Sequence, residues 1–350
     1  MAGGQWCRLR KPGRRYLGIS LAPCLPSPIA MTRPPHRYLP PMRDGVSASC
    51  VALPVAGANP WPTLLDFLAQ RLPYASRDDW HTRMTQGAVL DEQGQALRAD
   101  LPYPPQPRDA QHRRVYYYRT LTYEPPIPFE AQVLFQDEHL VVADKPHFLP
   151  VTPSGRYLQE TLLLRLQRQL GIETLSPLHR IDRETAGLVL FSVRPQDRGA
   201  YMALFRNKAV TKHYEAIAPW RADLTLPLTH RSRMEPGSPF FRQHEVPGEP
   251  NSETYIELME RLENRGEPAR EVARYRLTPV TGKTHQLRVH MNALDLPIEG
   301  DLFYPDVVHG PGAIQEDFDK PLQLLAQSVA FIDPVSGLSR RFESQRQLNA

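Results

Sequence analysis

The stretch Ser176–Val193, SPLHRIDRETAGLVLFSV, constrains the chain more than any other. Leu188–Phe191 is a continuous apolar run, and a run of that kind reads as a strand in the interior of a sheet. Directly before it stand His179, Arg180, Asp182, Arg183 and Glu184. These side chains must gather at the mouth of the strand on a short, tight connection. A solvated turn would carry the same residue types. A carboxylate flanked by two arginines is also a way to keep an acid ionised in a cleft, and Asp182 has that setting.

A chain of 350 residues can bury a substantial core and has room for one large domain and a small one. No window approaches the roughly 18 apolar residues a membrane span needs, so no membrane partner is expected. The net charge of +4 is misleading. Residues 1–44 hold eight basic residues (Arg8, Arg10, Lys11, Arg14, Arg15, Arg33, Arg37 and Arg43) against Asp44 alone, a surplus of seven. The other 306 residues therefore carry a net −3. This is no uniformly basic nucleic-acid coat; RNA would have to be bound through local patches and shape. The three cysteines, Cys7, Cys24 and Cys50, all fall early, which fits a reducing cytoplasm without a disulfide framework.

Residues 1–58 are rich in Pro, Arg and Gly and show no sustained period, so a mostly disordered basic tail is expected, with SASCVALPV as an isolated strand. The apolar part of its start is short and broken by prolines, which speaks against a secretory leader; initiation at Met31 or Met42 is the alternative. From Trp61 a helix (PTLLDFLAQRL, with Thr63 as cap), a second helix (Ser76 and Asp79 as capping pair, Gly87 as stop) and a strand near Ala88–Leu90 make a module over 59–110. A linker over 111–128 contains VYYYRTL, read as an edge strand with alternating burial rather than a stacking platform.

The second domain, 129–345, opens with a hairpin, FEAQVLFQDEHLVVADKP, and an amphipathic helix, YLQETLLLRLQRQL, stopped by Gly171. After the buried strand come a helix begun by Pro195 and a strand, VTKHYEAIAPW. A loop or insertion is expected over 221–253, then an antiparallel pair turning at Asn264–Pro268. A helix capped by Thr284 runs to about Ala293, and a terminal strand pair closes the sheet.

HRIDRETAGL resembles the catalytic motif of the RluA-type pseudouridine synthases, which usually has Leu, Asp and Ser at the places of Ile181, Glu184 and Ala186. Five further blocks follow the family in order: VVADKP, VTKHYEAI, LTPVTGKTHQLRVH, LPIEGDLFY and LLAQSVAFIDP. The chain departs after VVADKP, where His147 and Phe148 replace the usual small residue and glycine. The 59–110 module resembles a small S4-like RNA-binding domain, with its strand-turn element blurred to AVLDEQGQALRAD. The resemblance implies an α+β fold, a mixed and mostly antiparallel central sheet with flanking helices, preceded by the small helical S4-like module.

It also implies the activity: a uridine already in RNA is isomerised by detaching the uracil and rejoining it through carbon. Asp182 matches the catalytic aspartate, either a nucleophile at the ribose or the base that removes a ribose proton. Arg288 matches the arginine that pairs with it, and Tyr214 the tyrosine that packs on the target base. Arg180 matches the residue that enters the RNA beside the extruded nucleotide, since access requires base flipping. Arg183, Lys212 and Lys283 are candidates for RNA backbone contacts. No cofactor and no metal are expected: the spacing of His179, His285 and His290 fits no zinc motif. The expected partner is structured RNA, rRNA or tRNA, and not DNA, for a cytoplasmic monomer. The rival readings are a catalytically idle RNA-binding protein with the same fold, and a metal-independent hydrolase.

Overall fold

The computed structural model describes residues 40–43, 45–54, 61–73, 75–103, 113–119, 121, 123–262, 271–308, 310 and 318–349. Leu39–Ala350 is one compact unit. The expectations for residues 1–39, and for the turn at 264–268, lie outside the described residues.

The N-terminal module contains β1 (Ser49–Ala52), α1 (Leu64–Arg71), α2 (Arg77–Thr85), β2 (Val89–Leu90) and β3 (Arg114–Tyr117). Both helices begin on a reciprocal capping box, Thr63 with Asp66 and Ser76 with Asp79. Gly87, just beyond α2, has φ 67°, a backbone that a side chain disfavours. The module is not confined to 59–110. Its three-stranded sheet has the order β1-β3-β2, so one strand comes from the Pro-rich N-terminal stretch and another from the expected linker. β1 is thus not isolated, and the tyrosine run is a central strand rather than an edge. Val115, Tyr116, Tyr117 and Tyr118 are all buried, because the sheet is covered on both faces: Tyr117 meets Trp80 edge-on at 5.2 Å, and Arg43 lies 4.0 Å over Tyr118.

The large domain is built from β4 (Gln132–Gln136), β5 (Leu140–Lys145), α3 (Leu162–Leu170), β6 (Ser176–Pro177), β7 (Ala186–Ser192), α4 (Arg198–Arg206), β8 (Thr211–Pro219), β9 (Leu228–Pro236), β10 (Gln243–Val246), β11 (Ser252–Leu262), β12 (Val272–Pro279), α5 (Gln286–Ala293), β13 (Leu324–Ile332) and β14 (Ser339–Glu343). They form one sheet, β10-β9-β11-β12-β8-β13-β7-β5-β4, with β14 on β13 and β6 on β7. Only β7 and β13 run parallel among these pairs, and the mixed, mostly antiparallel sheet is the α+β fold expected from the motif. Gly187 makes the parallel contact possible: a Cβ there would lie 2.3 Å from the Ala326 carbonyl oxygen.

The apolar run of β7 is buried on both faces, which explains why it does not alternate with polar residues. Val189 and Phe191 pack with Leu162 and Leu166 of α3, while Leu188 and Leu190 pack with Tyr201 of α4. Gly171 ends α3 in the left-handed region, as its position predicts. Along β8, Tyr214, Ala216 and Ala218 share the face that meets Leu287 and Met291 of α5; the two alanines let the helix sit close.

Two expectations change here. The 221–253 segment is not only loop: β9 and β10 within it form an antiparallel hairpin at the edge. Its edge strands are only partly buried, so Thr, His, Arg and Ser hide the alternation. The helix carrying Arg288 starts at Gln286, with His285 rather than Thr284 as the residue before it and no side-chain cap. Gln286 takes over the organising role: its Oε1 accepts from the Thr281 hydroxyl at 2.7 Å and the Lys283 N–H at 3.0 Å. Its Nε2 donates to the Glu253 carbonyl and the Thr254 hydroxyl, both at 2.9 Å. That ties the first turn of α5 to β11.

Candidate active site

The connection before β7 is held by its backbone. The Lys145 ammonium, fully buried at the end of β5, donates to the carbonyls of Pro146 and Arg183 at 2.9 and 3.0 Å. His147 Nδ1 lies 2.7 Å from the Glu184 carbonyl and the Leu190 N–H donates to His179 Nε2 at 3.2 Å. Phe148, at the place where the resemblance implies a glycine, has φ 66°, in the region that favours glycine. That conformation is costly for a side chain. Its ring is held among Phe129 at 6.0 Å, Phe318 at 5.1 Å and the Arg183 guanidinium at 5.8 Å.

Asp182 therefore projects into a pocket of about 80 Å³ lined by Ile181, Thr185, Lys212, Tyr214, Lys283 and Arg288, among others. Arg288 Nη1 lies 3.4 Å from Asp182 Oδ2. The guanidinium is itself 1% exposed and forked onto a second acid, Asp301: Nε to Oδ2 at 2.8 Å and Nη2 to Oδ1 at 2.6 Å. Asp301 Oδ1 also accepts from the Phe303 and Tyr304 N–H groups at 2.8 and 3.1 Å, so its carboxylate cannot rotate freely. Gly300 precedes it with φ 75°, and a Cβ there would meet the Pro321 carbonyl oxygen at 2.4 Å. A bidentate pair of this kind fixes direction as well as charge.

The charges divide by burial. Burial disfavours the Arg288 cation, but Asp301, Asp182 and Glu184 outweigh it and raise its pKa. Burial alone would raise the Glu184 carboxyl; Arg288 and Arg183 instead hold it below the usual carboxylate range. Lys145 is pulled down by burial to about 7, with Glu184 and Asp182 limiting the fall. Burial, aided by Asp182, pushes the Tyr214 phenol above its ordinary value, so at neutral pH it is a hydrogen-bond donor. His285 is lowered by burial against the pull of Asp182; its Nε2 is 3.9 Å from Asp182 Oδ2 and its Nδ1 3.1 Å from the Tyr304 hydroxyl.

The structure brings Asp182, Tyr214, Arg288, Lys212 and Lys283 to one pocket. Arg180 lies outside it, exposed in an adjoining groove with Arg206, Lys208 and Lys212. Arg183 does not face the pocket: it pairs with Glu184 at 3.1 Å and lies 5.2 Å over the Tyr157 ring. Arg288, about a hundred residues away in sequence, is the cation beside Asp182. The sequence reading passed over Asp301, Lys145 and Gln286, although each sits within a quoted block. The Gly-Asp pair of LPIEGDLFY was the one available signal for Asp301.

Among the described residues, His230, Glu245 and His290 bring three potential metal-ligand atoms within 4.8 Å of one another. His230 Nε2 lies 2.8 Å from Glu245. Both His290 nitrogens already face hydroxyls, Nε2 to Ser252 and Nδ1 to Thr254, each at 2.9 Å. The group reads as a hydrogen-bond network beneath α5.

The sequence profile of the RNA pseudouridylate synthase family matches residues 139–293, which span the Asp182 connection, Tyr214 and Arg288. The dual-specificity RNA pseudouridine synthase RluA of Pasteurella multocida is 30% identical over 62% of this chain and 93% of its own. An uncharacterized RNA pseudouridine synthase of Synechocystis is 29% identical over 72% of this chain and 80% of its own. The solved structure of human RNA Pseudouridylate Synthase Domain Containing 1 superposes with a TM-score of 0.51 at 22% identity, covering 64% of this chain and 86% of that one; it shows the fold alone. Fold and matches together define an RNA-modifying isomerase, a pseudouridine synthase. Within that class, the chain belongs to the RluA-type family.

Proposed function

We propose that Asp182 is the catalytic carboxylate of this synthase and that its target is a uridine in structured RNA of the rRNA or tRNA kind. One observation carries the assignment: the Asp182 carboxylate lies in the pocket against Arg288, whose own position is locked by Asp301. The reaction breaks the bond from ribose to the uracil nitrogen and forms one to a uracil carbon. An ionised carboxylate serves it either by attacking the ribose or by taking a ribose proton. Arg288 holds the carboxylate in one direction without competing for its second oxygen. Tyr214 supplies a flat wall for the flipped base and, protonated, a donor. Lys212 and Lys283 at the pocket, and Arg180 in the adjoining groove, are placed for phosphates, and Arg180 is free to enter the space the base vacates. The S4-like reading of the N-terminal module is part of the same proposal, as a second RNA contact. The Pasteurella relative is named as dual-specificity, so the search should cover more than one class of RNA.

The test is a map of pseudouridine across total RNA from a strain lacking the gene, complemented with wild type or D182N. A site lost in the deletion and restored only by wild type is expected. Equal restoration by D182N would remove Asp182 from the chemistry, and no lost site in any RNA would favour the idle RNA-binding protein.

A further inference from the structure

The tip of the β9–β10 hairpin, Gly237–Arg242, carries an aromatic ring that the fold does not use. Phe240 is 86% exposed. Its neighbours are pinned. The Gly237 N–H donates to the Arg242 carbonyl and the Arg242 N–H to the Pro239 carbonyl, both at 2.9 Å, closing the turn. Phe241 packs on Phe303 with 5.0 Å between centroids. Arg242 lies 4.8 Å over the Tyr304 ring and donates to the Pro305 carbonyl at 2.7 Å. The Gln243 N–H donates to the Tyr304 hydroxyl at 2.8 Å.

Phe303 and Tyr304 are buried behind the Arg288–Asp301 pair. Phe303 lies 4.8 Å under the Arg288 guanidinium, and the Tyr304 hydroxyl meets His285. The tip is therefore fastened to the residues that surround Arg288, two ring contacts from Asp182. Leaving a phenylalanine in water forfeits roughly 2 kcal/mol of burial, and among the described residues the ring contact of Phe240 is an edge contact with Phe241. Arg242 is the one charged side chain of Gly237–Arg242, so the tip presents an apolar face and a cation and no acid.

We infer that Phe240 is a stacking platform for an unpaired base of the RNA substrate, next to the nucleotide flipped into the Asp182 pocket. A ring on a braced turn loses little freedom on binding, and every base offers a face to it. Arg242 beside it suits the adjoining phosphate. This rests on the RNA-modifying reaction assigned to the pocket and adds to it a recognition site outside that pocket.

The test compares full-length wild type, F240A and F240W on a stem-loop transcript bearing the uridine found by the deletion map. Removing one base stack should raise KM about tenfold with kcat little changed, while F240W keeps the wild-type KM. The same rise should appear in the dissociation constant when F240A is placed in the D182N background. An unchanged KM for F240A overturns the proposal. So does an equal loss in F240A and F240W, which would mean a disturbed hairpin, or an effect of F240A confined to oligomeric state. Failure of wild type itself to form pseudouridine in this transcript would instead strike the choice of target.

Discussion

The floor and the rim of the pocket are built on opposite principles. On the floor the buried charges around Asp182 have protein partners: Arg288 is forked onto Asp301, Asp301 accepts from two backbone N–H groups, and Lys145 donates to carbonyls of the connection before β7. At the rim Arg180 and the Lys283 side chain have no hydrogen-bond or ion-pair partner among the described residues, and farther out, at the β9–β10 tip, Phe240 stands in solvent. The difference separates two tasks. The floor fixes direction before substrate arrives, which is where electrostatic catalysis gains most. The rim keeps unpartnered cations, which is what the proposed RNA contacts require.

The comparison breaks most visibly at Asp301. D301N leaves the buried Arg288 with half a partner, and stability should fall by about 3–5 kcal/mol. With the guanidinium no longer aimed, turnover should fall about 10²-fold. Denaturant melts and single-turnover assays measure both; wild-type stability in D301N would show that the fork does not brace the floor.

Lys145 tests the floor through pH. Its folded value near 7 lies below its ordinary 10.5, so between those values the unfolded chain holds the extra proton and stability rises with pH. Relative to K145M, wild type should therefore gain stability as pH climbs from about 7 toward about 10 and lose that gain on acidification. A constant difference in denaturation midpoint across the range contradicts this.

The rim should give the smallest and most salt-sensitive effects. R180A and K283A should each raise KM, leave the melting temperature unchanged and reduce the salt dependence of binding by roughly 0.7 in log–log slope. A slope equal to that of wild type would mean the residue meets no phosphate.

Much of the floor was legible in the sequence because its signals are local. The β7 run and the β4–β5 hairpin and, away from the floor, Gly171, the Thr63 cap and the Ser76–Asp79 pair follow from periodicity and turn chemistry, and the motif blocks brought out Asp182, Tyr214 and Arg288. Asp301 was not, because its partner is chosen by the fold: a carboxylate after a glycine has no period, and only the approach of 301 to α5 shows its use. Arg183 misled for a similar reason. Adjacent in sequence to Asp182, it turns toward Tyr157 and Phe148, and the distant Arg288 takes the place beside the carboxylate. The β9–β10 hairpin stayed hidden because half-solvated edge strands lack clean alternation; β1 was legible as a strand, but its pairing with β3, about sixty residues on, was not. Phe148 shows the converse: a backbone of φ 66° at a residue whose type gives no sign of it.

The central claim is that a carboxylate aimed by Arg288 and Asp301 performs the isomerisation. It is tested most directly with purified wild type and D182N on the stem-loop identified by the deletion map, following RNA affinity and pseudouridine formation together. Comparable affinity and a loss of product formation on the order of 10⁴-fold are expected in D182N. Product formed by D182N at the wild-type rate would contradict it.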